Sequence, residues 1–144
     1  MSSRRVLDLH QLLLHFPTVV EDDGSIVVTL TGPKDSFYEG GIFRVRMTLP
    51  KDYPFDSPSV GFITTIFHPN VDEHSGSICL DVLNTQWSPI FSLLNIMDAF
   101  LPQLLMEPNC ADPLNGEAAA LSLQEPEKYE ETVRAYVKQY ATTI

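Results

Sequence analysis

Between Thr18 and Phe62 the chain passes through four short segments rich in valine, isoleucine, threonine and phenylalanine: Thr18 to Glu21, Ser25 to Thr31, Ile42 to Leu49 and Ser59 to Phe62. Asp-Asp-Gly, Gly-Pro and Gly-Gly breaks separate them, which are turn signals between strands. The connections are short, and short connections favour strands that fold back on one another in an antiparallel meander. In the third segment Phe43, Val45, Met47 and Leu49 alternate with Arg44, Arg46 and Thr48. That period of two puts one sheet face on a core and leaves the two arginines on a wetter one.

Helical patterns surround this sheet. Ser3 to about Phe16 reads as an amphipathic helix ended by Pro17, with Val6, Leu9, Leu13 and Phe16 expected on the buried face and Arg4, Asp8, Gln11 and His15 opposite. Ser92 can cap a nearly all-apolar helix running to about Met106, buried on most sides. Pro102 removes one of its backbone bonds, so a kink or bulge is expected near Asp98 to Pro102. A short helix from about Asn115 to Leu123 and a last one from Pro126 to Tyr140 follow, the latter with Tyr129, Val133, Tyr136, Val137 and Tyr140 as its apolar stripe. The expected fold is α+β, with an N-terminal helix, a four-stranded antiparallel meander sheet, an active-site loop, a central helix and two C-terminal helices.

At 144 residues the chain has the usual size of one domain, so residues 1–144 are expected to form a single unit. No apolar run approaches the length needed to span a bilayer, and the first residues lack the apolar stretch of a secretory signal. No membrane association is expected, and the location expected is the cytoplasm, the nucleus or both. The net charge of -10 argues against nucleic acid, which basic patches bind, and favours basic partners. Two cysteines, Cys79 and Cys110, are expected to be free thiols in such a compartment. The spacing of His68, His74, Cys79 and Cys110 matches no compact zinc pattern, so no metal and no cofactor are expected.

The stretch from Ile66 to Trp87 holds the chemistry. It opens on His68-Pro69-Asn70, passes through a polar, glycine-containing loop and reaches Cys79 between Ile78 and Leu80, followed by Asp81. Cysteine is a good nucleophile and, once acylated, a good leaving group, which suits a carrier that exchanges one thioester for another. Asn70 has an amide able to donate a hydrogen bond to an oxyanion, although an asparagine there also serves loop backbone groups. The segment Leu49 to Pro58 carries three prolines, too many for a central strand, and forms a shaped loop in which Tyr53-Pro54 is the best candidate for a cis bond. By hydrophobicity alone Phe55 in that loop would be buried.

These motifs, with Tyr-Glu-Gly-Gly at Tyr38 to Gly41, Gln-Trp-Ser-Pro at Gln86 to Pro89 and Asp-Pro-Leu at Asp112 to Leu114, resemble the ubiquitin-conjugating enzymes from Arg4 to Thr142. The runs Phe100 to Leu105 and Asp112 to Ala120 look most like the histone-conjugating H-type subgroup. The resemblance implies that Cys79 takes ubiquitin from the activating enzyme as a thioester and passes it, usually with a ligase, to a lysine of a protein substrate. It makes Cys79, Asn70 and Asp112 the catalytic residues, Asp112 facing the cysteine across a cleft to orient the incoming amine and accept its proton. It also displays Phe55, with Ser88 and Pro89, as a ligase-binding patch, and assigns Arg4 and Arg5 to the activating enzyme. The same two arginines could simply be solvated.

Three departures stand out. The second strand lacks the tryptophan common in the family, Cys110 replaces a usual proline, and the chain ends at Ile144 without the acidic tail typical of the H-type subgroup. Cys110 is expected to border the cleft as a second thiol near Cys79, within disulfide reach only if the two Cα atoms approach to about 7 Å. The competing readings are conjugation of another ubiquitin-like modifier, a non-catalytic binding module of the same fold, and a cysteine hydrolase pairing Cys79 with His68 or His74. Inactive family variants lack the cysteine, which counts against the second reading.

Overall fold

A computed structural model describes residues 3–78, 83–84 and 87–142. The first helix, α1, spans Ser3–His15. Strands β1 Thr18–Val20, β2 Ile26–Thr31, β3 Ile42–Thr48 and β4 Ser59–Phe62 form one antiparallel sheet in the order β1-β2-β3-β4, the meander that the short connections demanded. Val28 lies opposite Val45, and Val45 opposite Phe62, so one face of the sheet is a continuous apolar row. Phe43, Val45 and Met47 are each 0% exposed while Arg44 and Arg46 stay on the outer face. Burying such side chains fully contributes about 1.5–3 kcal/mol apiece.

The central helix, α2, covers 93–106 and changes its winding on the way. It begins as Leu93–Asn95, passes through a π segment at Ile96–Phe100 and continues as α-helix over Leu101–Met106. The expected bulge is therefore present, with Pro102 in the first turn after it. Ser92 caps the helix: its Oγ accepts the N–H of Asn95 at 3.3 Å, and Asn95 Oδ1 accepts the N–H of Ser92 at 3.0 Å. Leu93, Ile96, Met97, Leu101, Leu104 and Leu105 are buried against the sheet core. Helices α3 Gly116–Gln124 and α4 Pro126–Tyr140 pack on each other, and Ala141 O accepts Ile42 N–H at 2.8 Å, tying the end of the chain to β3. Tyr129 and Val133 of the α4 stripe are buried, whereas Tyr140 is largely exposed.

Helix α1 bears out half of the expectation for its buried face, Leu9 and Phe16 packing against the core, and corrects the other half. Val6 and Leu13 are 54% and 51% exposed, while Leu12 is 0% and Asp8 only 2% exposed. The helix is apolar on two sides, and the side that is buried is the one whose aspartate finds partners. Tyr53 donates its hydroxyl to Asp8 Oδ2, and Arg4 Nε donates to the same oxygen at 3.0 Å. A buried carboxylate is tolerated when it is paired and hydrogen-bonded in this way.

Candidate active site and its flanking loops

The chain before Cys79 is built on β4. Asp72 accepts the N–H and hydroxyl of Ser75 at 2.9 and 2.6 Å, which closes a turn and holds its carboxyl below the usual range. Gly76 then crosses β4 at φ +77, so close that a Cβ would meet Phe62 O at 1.8 Å. Glycine is needed there both for the left-handed backbone and for the approach. Phe62 N–H donates to Gly76 O at 2.7 Å and Ile78 N–H to Val60 O at 3.3 Å, so the residue preceding Cys79 is pinned to the sheet. Cys79 itself, with Leu80, Asp81 and Gln86, lies outside the described residues.

His68 and Asn70 are both 0% exposed. His68 Nδ1 accepts the N–H of Asn70 at 3.0 Å, which assigns the proton to Nε2, and Nε2–H donates to Leu104 O at 2.8 Å. Burial lowers the imidazole pKa from 6.5 to about 4, only partly opposed by the Leu104 carbonyl. A neutral ring with both nitrogens committed to backbone groups is a brace between the His-Pro-Asn turn and α2. It is not a base for a cysteine hydrolase. His74 is exposed on the 72–76 turn.

The Asn70 amide is also committed. Its Nδ2 donates to Asn109 O at 2.6 Å and its Oδ1 accepts Asn109 N–H at 2.8 Å, two prongs that imitate a strand pairing across 39 positions of sequence. Pro69 O accepts the N–H groups of Leu114 and Asn115 at 2.9 and 3.0 Å. The loop that carries exposed Asp112 is therefore fastened at both ends to His-Pro-Asn. Asn109 was not singled out from sequence; its signal would have been an asparagine in a proline-rich loop that needs a partner for its backbone. Cys110, half-buried in the same loop, has its Sγ 3.2 Å from Ser122 Oγ, while its distance to Cys79 falls outside the described residues.

On the other side, two loops meet. The Tyr53–Pro54 peptide bond is cis, as expected from the three prolines. Phe55 next to it is 76% exposed, which overturns the burial that its hydrophobicity alone suggests. Trp87 Nε1–H donates to Pro54 O at 3.0 Å and its ring lies 5.8 Å from that of Tyr53, joining this loop to Ser88 and Pro89. Ser88 is half-buried and Pro89 exposed. Ile90, which sequence reading passed over, is 86% exposed beside them. Burial and the neighbouring Asp8 carboxylate push the Tyr53 phenol well above its ordinary pKa, so it remains a donor.

The two arginines are partly exposed, yet each is held by backbone carbonyls. Arg4 Nη1 donates to Pro89 O at 2.7 Å and Nη2 to Phe91 O; Arg5 Nη2 donates to Pro50 O and lies 3.4 Å from Lys51 O. The structure thus groups Arg4, Arg5, Phe55, Ser88 and Pro89 on one side and Asn70 with the Asp112 loop on another.

Known proteins similar to this chain point to one family. A family model described as ubiquitin-conjugating enzyme matches residues 10–137. Ubiquitin-conjugating enzyme E2 5 of Arabidopsis thaliana is 53% identical over 143 residues, which cover 97% of this chain and 77% of that protein. Ubiquitin-conjugating enzyme E2-24 kDa of Saccharomyces cerevisiae is 48% identical over 145 residues, 98% of this chain and 66% of that protein. Among solved structures, the E2 domain of a Toxoplasma gondii ubiquitin conjugating enzyme superposes with a TM-score of 0.86 at 27% identity, covering 96% of this chain and 98% of that one. A His-Pro-Asn turn clamped to the following loop, on a meander sheet with this helix order and with relatives matched along nearly its whole length, places the chain in the ubiquitin-conjugating enzyme E2 family.

Proposed function

We propose that this ubiquitin-conjugating enzyme receives ubiquitin from an activating enzyme as a thioester on Cys79 and transfers it to a substrate lysine, with residues 1–144 acting as one catalytic domain. Family membership implies ubiquitin, an activating enzyme and ligases as its general partners. In the transfer the lysine nitrogen attacks the thioester carbonyl, the carbon–sulfur bond breaks, the thiol is released and the amine loses a proton. The observation that carries the reading is the double hydrogen bond between Asn70 and Asn109, because it joins the turn ahead of Cys79 to the loop of Asp112. Asn70 acts through that order and, with its remaining N–H, as a donor to the oxyanion. Asp112 orients the amine and takes its proton.

Phe55, Ser88 and Pro89 form the ligase patch, and Arg4 and Arg5, on the first turn of α1, contribute to docking the activating enzyme. The runs Phe100 to Leu105 and Asp112 to Ala120 favour the histone-conjugating H-type subgroup, whose basic substrates suit a chain of net charge -10. Its place of work is the cytoplasm or nucleus, as the family resemblance implies; among the described residues no helix is long and apolar enough to cross a membrane.

Incubation with activating enzyme, ATP and a panel of modifiers, resolved on a non-reducing gel, tests the reading. Ubiquitin should form an adduct that reductant removes. An adduct formed only with a different modifier would reassign the substrate, and no adduct with any would reject the carrier role. Phe55→Ala should leave this charging intact and slow ligase-stimulated discharge by about tenfold, a loss typical of an exposed aromatic anchor. Equal loss of charging, with a large fall in melting temperature, would instead make Phe55 a structural residue.

A further inference from the structure

Arg4 makes more intramolecular contacts than a surface arginine needs. Its guanidinium reaches across 85 and 87 positions of sequence to the carbonyls of Pro89 and Phe91. Its Nε is held at 3.0 Å by Asp8, whose side chain is 3% exposed against 28% for Arg4. The same carboxylate accepts the Tyr53 hydroxyl, and the guanidinium carbon lies 6.0 Å from the Tyr53 ring centre. A screened surface ion pair contributes little, but here one partner is buried and the cation is fixed from three directions. Helix α1, the 50–55 loop and the 87–91 loop therefore share one polar joint, with Trp87 N–H to Pro54 O as its second fastening.

We infer that Arg4, braced by Asp8 and Tyr53, is a positioning residue that holds the 88–91 segment beside Phe55, so that helix α1 sets the geometry of the ligase patch. The inference rests on the reading of Phe55, Ser88 and Pro89 as that patch. Its chemistry depends on the fork of the guanidinium: a lysine ammonium is a single point and cannot span Asp8 and two carbonyls at once.

Trp87 is the only tryptophan in the chain and sits inside the joint, 5.8 Å from Tyr53 and 6.4 Å from Phe91 between ring centres, so its fluorescence reports this loop alone. The test compares Arg4→Lys and Asp8→Asn with wild type at a temperature where all three keep native far-UV circular dichroism. Both variants should show red-shifted Trp87 emission and stronger acrylamide quenching. Enzyme charged and purified beforehand should also show a fall of about five- to tenfold in the ratio of ligase-stimulated to unstimulated discharge in Arg4→Lys, the effect of one or two lost charge-assisted hydrogen bonds. Trp87 as protected as in wild type in both variants would overturn the inference. So would increased quenching that appears only as far-UV ellipticity is lost. The fluorescence arm needs no ligase, so it stands apart from the patch itself: full ligase stimulation of Phe55→Ala alongside exposed Trp87 in Arg4→Lys would reject the patch and leave Arg4 positioning the loop.

Discussion

Lowering the pH from 7 to 4 should cost this fold about 3 kcal/mol through His68 alone. The ring is buried, its pKa displaced from 6.5 to about 4, and both nitrogens serve backbone groups that suit only the neutral tautomer. Between those two values the unfolded chain binds the proton and the folded one does not. Acid therefore favours unfolding, so the stability from His68 is complete above pH 6.5 and lost as the pH falls toward 4. Denaturant unfolding of wild type and His68→Gln at a series of pH values measures this. Glutamine can still donate to Leu104 O but does not titrate. The advantage of wild type over the variant should shrink by about 3 kcal/mol across that range. A difference that is constant with pH would show that His68 is not held neutral.

Asn70→Ala should be the most damaging single change short of removing the nucleophile. It removes a buried amide that gives Asn109, itself an exposed residue, a donor at 2.6 Å and an acceptor at 2.8 Å; losing these two partly buried bonds should lower stability by about 1–3 kcal/mol. Because the same clamp carries the Asp112 loop, discharge of charged enzyme to free lysine should fall by about 10²-fold or more. Thermal unfolding and single-turnover discharge on one preparation separate the two effects. Slow discharge with unchanged stability would reduce the amide to a donor at the reacting carbonyl and leave loop order to other contacts.

How much of this was legible depends on how local the physics is. The sheet could be read because Phe43, Val45 and Met47 keep strict alternation and are flanked by turn residues. The α2 bulge could be read because Pro102 cannot donate to the preceding turn, and the helix start because Ser92 and Asn95 cap one another within three positions. The buried face of α1 could be read only in part: Leu9 and Phe16 were legible, Leu12 and Asp8 were not. With Val6, Leu7, Leu13 and Leu14 on one side and Leu9, Leu12 and Phe16 on the other, hydrophobicity does not choose, and the deciding group is Asp8, whose partner Tyr53 lies 45 positions away. For the same reason the sequence names Asn70 but not Asn109, and names Arg4 without the carbonyls it holds. Phe55 shows the converse: its exposure was legible only through resemblance, since an isolated phenylalanine among prolines gives no periodic signal.

The proposed function places ubiquitin on one thiol, Cys79. Charging Cys79→Ser and Cys110→Ser side by side with activating enzyme, ATP and ubiquitin, with and without reductant, distinguishes that thiol from the other. Cys110→Ser should charge like wild type and lose its ubiquitin to reductant, whereas Cys79→Ser should give only an oxyester that reductant leaves intact. A reductant-sensitive adduct on Cys79→Ser would mean that another thiol carries ubiquitin.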